Sequence, residues 1–117
     1  MNAQEREVSK KYFAKCAIAF GRKTDDSFLA LGAVANYNLA VSYGLDQIQK
    51  YARYLEEAIR IQRRVIEEKP DAEEWQKLAG WLDSMEGYCS YIGDMEKACA
   101  YRDESERIVM ALAAVSE

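Results

Sequence analysis

Paired acids are the side chains of this sequence best suited to moving protons, and they occur at Asp25-Asp26, Glu67-Glu68 and Glu73-Glu74. Neighbouring carboxylates can divide the roles of acid and base when their surroundings push their proton affinities apart. Each pair, however, falls at an expected helix end. Asp25-Asp26 and Glu73-Glu74 suit the positive end of a helix dipole, and Glu67-Glu68 lies within pairing reach of Arg63 and Arg64. The chain contains no histidine, which removes the commonest general base and the usual zinc, haem and di-iron ligand sets. No glycine-rich phosphate loop, GxSxG elbow or kinase motif is present either. The reading is a non-enzyme with no catalytic residues, no metal and no cofactor. A small helical enzyme or ligand-binding bundle, working through Glu, Tyr, Lys or Arg, is kept as an alternative.

Three further groups of side chains could do chemistry. Cys16, Cys89 and Cys99 are far apart and form no CxxC pair, so they read as reduced core fillers; a Cys89–Cys99 bridge across the Gly93 turn is the alternative in an oxidising compartment. Lys50, Arg53, Arg60, Arg63 and Arg64 form a basic stripe interleaved with Glu56, Glu57, Glu67 and Glu68. Pairing at i,i+3 and i,i+4 makes it a self-compensated, solvated helix face, with an acidic protein partner or RNA as the remaining possibilities. Tyrosines cluster around the helix ends, where a ring at the edge of the core with its hydroxyl in water needs no partner, but Trp81, Tyr88 and Tyr91 fall off the apolar stripe of their own helix. An exposed Trp beside two Tyr is the first surface to suspect of binding a partner.

Elements that would carry these residues follow from apolar spacing and punctuation. A first helix is expected over Gln4–Phe20, with Phe13, Cys16, Ala17 and Phe20 on one face, ended by Gly21-Arg22-Lys23. Thr24, Asp25 and Asp26 supply N-cap chemistry for a second, running to about Tyr43 with Phe28, Leu31, Ala35 and Leu39 inward, covered on more than one side either within the domain or by a partner. Gly44-Leu45-Asp46 breaks the chain, with Asp46 as N-cap of a long amphipathic helix to Lys69 whose apolar side is Leu55, Ala58, Ile59, Val65 and Ile66. Pro70 ends it. Asp71 starts the next, in which Trp75, Leu78, Leu82, Met85, Cys89 and Ile92 alternate steps of three and four. Gly93-Asp94 turns the chain into a last helix through Ala98, Tyr101, Ile108, Leu112 and Val115. Connections this short demand antiparallel neighbours.

The composition is that of one mostly helical domain spanning 1–117: half apolar, 31% charged, a single Pro and six Gly. A net charge of −4 argues against nucleic acid as a partner. No run approaches the roughly 18 uninterrupted apolar residues of a membrane span, and Met1 to Lys11 is polar where a signal peptide would be basic and then apolar, so a cytoplasmic location is expected, with no membrane partner.

Leu39-Ala40-x2-Tyr43, followed by Ala58 and Pro70, and Leu78-Ala79-x2-Leu82, followed by Gly93-Asp94 and Ala98, resemble the helix pairs of the tetratricopeptide repeat family. The resemblance covers Val34 to the C-terminus. Six extra residues separate Tyr43 from Ala58 and seven separate Leu82 from Ala98 relative to the family's spacing, making longer helices or turns. Gln62 and Arg102 stand where the family prefers an aromatic, and Met110 replaces a second proline. The resemblance implies an all-α fold of about five antiparallel helices in hairpins, the alternative being a closed four- or five-helix bundle. It also implies an adaptor or assembly subunit whose groove binds a peptide or a partner's helix. Asn38 and Lys77 match positions at which some members hold a terminal carboxylate; the other basic members of that clamp are absent here, which favours a plain surface role for both. A homodimeric bundle, with the chain as its own partner, is the second reading.

Overall fold

The computed structural model describes residues 26–116. The helix expected over Gln4–Phe20, with Cys16, lies outside the described residues. Among the described residues the fold is all-α, with no strand: α1 (Asp26–Tyr43), a 3-10 turn (Gly44–Gln47), α2 (Ile48–Glu68), α3 (Ala72–Tyr91) and α4 (Met95–Ser116). The chain divides into two compact units, Met1–Val65 and Ile66–Glu117.

In the first unit, α1 is built on Leu29, Ala33, Asn36 and Ala40, a four-three-four stepping that keeps one face inward, with Ala35 and Leu39 beside it. Leu31, expected inward, is 50% exposed. It lies two residues, roughly 200°, around the helix from Leu29, and the buried arc does not reach that far. Val41 is exposed as well, while the other described residues of α1 from Phe28 on are buried or half-buried. The amide of buried Asn36 donates to the Gly32 carbonyl at 2.9 Å, which keeps a polar side chain tolerable at 4% exposure.

Gly44 ends α1 at φ +59, a left-handed conformation that a glycine adopts without penalty. Asp46, expected to cap the following helix, instead lies inside the 3-10 turn. Along α2 the expected apolar side is buried throughout: Leu55, Ala58, Ile59, Val65 and Ile66, joined by Ala52 and Ile61. Its outer face carries the charges, and Arg60 holds Glu57 through two hydrogen bonds, that of Nε to Oε2 measuring 3.0 Å. That contact holds the Glu57 carboxyl below its ordinary range. The helical stretch Phe28–Glu68 contains an 18-residue window of mean hydropathy 1.2, 39% of it buried, a composition that a core helix also shows.

The second unit is a helical hairpin. Lys69 and Pro70 interrupt the helix, Asp71 turns extended (φ −75, ψ 152), and its carbonyl accepts from the Glu74 and Trp75 amides at 3.0 and 3.1 Å to start α3. The Asp71 carboxylate makes no cap hydrogen bond; it lies 3.7 Å from the Lys69 ammonium. At the other end Asp94 N–H donates to the Cys89 carbonyl (2.8 Å) and Gly93 N–H to that of Ser90 (3.1 Å). With Gly93 at φ +84 this is a Schellman ending. Asp94 then caps α4 as expected, its Oδ1 accepting from the Lys97 amide at 3.2 Å.

Candidate functional site

The hairpin is registered by side chains that cross between its helices. Ser105 Oγ lies 2.6 Å from Asp83 Oδ1 and 3.3 Å from the Ala79 carbonyl. One turn nearer the Gly93 turn, Arg102 Nε meets Glu86 Oε1 at 3.3 Å. Arg102 also donates to Cys99 Sγ at 3.3 Å, and that bond, then the neighbouring charges, raises its pKa further. Ser105 is buried with Ala98 and Ile108 on α4, and Leu78, Ala79, Leu82, Met85 and Cys89 are buried on α3. Cys89 and Cys99 are free thiols, the first buried and the second exposed.

This register carries the last turns of α4 back to the start of α3. There the two helices leave an open apolar groove of about 540 Å³. Pro70, Ala72 and Trp75 form one wall, and Glu104, Ile108, Ala111, Leu112 and Val115 the other, with Arg107 at the edge. The cause is legible in composition. Ile108 to Val115 holds no polar residue, so the end of α4 is apolar all round, and only Ile108 of this run is buried. Val115 is 86% exposed, and Met110 71%.

None of the five residues singled out from sequence lines this groove. Trp81 is buried at 6% exposure, which corrects its assignment as an exposed anchor. It follows Leu78 by three and precedes Met85 by four, so it lies within roughly 60° of both and belongs to the inner face of α3. Tyr88, seven residues further, is half-buried. Tyr91 is 72% exposed, beside exposed Ile92 and Met95 at the hairpin turn. Lys77 is half-buried and its ammonium is 3.1 Å from Glu74 Oε1, itself buried, so this charge is already matched. Asn38 belongs to the first unit and is half-buried on α1.

Among the described residues no group of three or more His, Cys, Asp or Glu side chains could hold a metal ion. What the groove can do chemically is exclude water from apolar surface, with one acid, Glu104, and one base, Arg107, in its lining. Comparison with known protein families, curated proteins and solved structures gives no match to the chain.

Proposed function

We propose that the chain is a protein–protein interaction module of tetratricopeptide-like hairpins, and that the groove between α3 and α4 seats an apolar helical segment of a partner protein. The groove is the observation that carries this reading. Glu104, Ile108, Ala111 and Val115 recur along α4 at steps of four, three and four, a row about 16 Å long. A third helix fills such a row beside a second helix, ridge into groove. Small-molecule sites enclose most of their ligand, whereas here Ala111 and Val115 are exposed. Burying Val115 alone contributes about 1.5 kcal/mol. The burial of Leu78, Ala79, Leu82 and Ala98, which carry the repeat-like motif, supports the hairpin architecture.

A photo-crosslinking residue at Ala111 tests the proposal in the native cell. The expected adduct joins Ala111 to an apolar helical segment of another protein, disappears with Val115→Glu, and survives Met110→Glu on the far side of α4. An adduct of the chain with itself, together with a mass above 13.4 kDa by light scattering, would replace this reading with a homodimer. An adduct unaffected by Val115→Glu would refute the groove as the seat.

A further inference from the structure

The first unit carries a second built surface. Tyr43, the last residue of α1, and Tyr54 of α2 stack with ring centroids 5.6 Å apart and planes at 7°. Along an unbroken helix, residues this far apart in sequence would be separated by about 16 Å; the left-handed Gly44 lets the two rings meet. Lys50 Nζ sits 5.2 Å from the Tyr43 centroid, and Arg53 Cζ 5.8 Å from that of Tyr54.

Four other cations of the described residues already have carboxylates: Arg60 with Glu57, Lys69 with Asp71, Lys77 with Glu74 and Arg102 with Glu86. Lys50 and Arg53 have none among the described residues. This holds although Glu57 lies four residues beyond Arg53, at ion-pairing distance along the helix, because Arg60 takes it. Both cations are exposed, and three residues apart they point from one face of α2. Contact with a ring face restrains each long side chain while leaving N–H donors turned to solvent. The order that a bound anion would otherwise have to impose is partly in place.

We propose that this tyrosine-backed cation pair, Lys50 and Arg53 over Tyr43 and Tyr54, is a docking surface for an acidic peptide segment of a protein. Two adjacent cations match one or two carboxylates delivered at a point, and the ring edges supply apolar contact for the side chains between them. A nucleic acid is a poorer occupant. Its continuous row of phosphates would run onto Glu56 and Glu57, one turn along the same helix. The surface lies on the first unit and is independent of the groove reading.

Fluorescence anisotropy at low salt with a short labelled peptide carrying two glutamates among apolar residues tests it, with an oligouridylate of equal length as competitor class. The expected result is binding of the peptide that weakens roughly ten-fold or more in Lys50→Glu/Arg53→Glu. Arg64→Glu, which reverses another exposed cation of α2, leaves binding within about two-fold. Tyr54→Leu keeps both cations and weakens binding through loss of the ring. Val115→Glu leaves it unchanged, so failure of the groove proposal cannot imitate failure of this one. Absence of peptide binding by the unaltered chain overturns the proposal. So does equal weakening by Arg64→Glu, or tighter binding of the oligouridylate.

Discussion

Replacing glycine by alanine at three positions of the hairpin is expected to move stability in opposite directions, and the sign at each position follows from backbone geometry alone. Gly93 stands at φ +84, and a Cβ built there meets nothing within 4 Å, so packing contributes nothing to the outcome. An L-residue in the left-handed region places Cβ against the following carbonyl and costs about 1–2 kcal/mol. Alanine also narrows the unfolded ensemble, which offsets about 0.4–1 kcal/mol of any such loss where the native conformation is tolerated. Gly93→Ala should therefore destabilise by roughly 1 kcal/mol, and Gly93→Asn by less, since asparagine visits this region more readily. Gly80 and Gly87 lie within α3, without positive φ and equally free of neighbours at the Cβ position. Alanine there removes the entropic penalty of a mid-helix glycine and should stabilise by about 0.5–1 kcal/mol each. The two kinds of substitution are thus separated by roughly 2 kcal/mol, several degrees in melting temperature for a chain of this size. Urea unfolding followed by circular dichroism reads the difference directly as a change of midpoint at constant slope. Movement of Gly93→Ala and Gly87→Ala in the same direction would refute the reasoning, because it would mean that the turn does not hold Gly93 in the left-handed region.

Trp81→Ala should cost about 3–5 kcal/mol through loss of a buried ring, and in Trp75→Phe the remaining Trp81 should emit to the blue and resist acrylamide; stronger quenching of Trp81 than of the half-buried Trp75 would contradict its placement on the inner face. Ser105→Ala should cost about 1–2 kcal/mol by removing the hydroxyl that ties α4 to Asp83 and the Ala79 carbonyl, whereas Asp83→Asn, which keeps an acceptor, should cost less; equal losses in thermal melts would argue against the tie. The Glu57 carboxyl is held below its ordinary range by its hydrogen bond to Arg60 and that guanidinium's charge. Its contribution is therefore present above the unfolded-state pKa and is lost as pH falls through the lower folded-state value. The contribution should stay below about 1 kcal/mol because the pair is exposed. The urea midpoints of the unaltered chain and of Glu57→Gln should therefore converge in acid, and a gap that widens in acid would reverse the sign.

Helix boundaries in this chain were legible because local chemistry decides them. Pro70 cannot sit in the middle of a helix, Gly44 and Gly93 accept φ values that end one, and the Asp94 side chain caps the helix it precedes. Facing was legible only where polar residues marked the outside. Along α2 the charges leave a single apolar stripe, and the expected side is the buried side. Along α1 there is no charge between Asp26 and Asp46, so several apolar arcs compete on equal terms, and spacing points Leu31 inward where Leu29 takes the core. Trp81 shows a different ambiguity. Steps of three and four from Leu78 lead equally well to Trp81 and to Leu82, and only packing shows that α3 buries both. The groove was hidden for a related reason. In Ile108–Val115 a continuous apolar run reads as core, and within the hairpin the register set by Ser105 and Arg102 brings α3 against one side of it. Apolar periodicity reports which residues prefer to leave water. How many of them a given fold can cover depends on the number of neighbours, and at the end of α4 the hairpin supplies one wall where the sequence carries apolar residues for more.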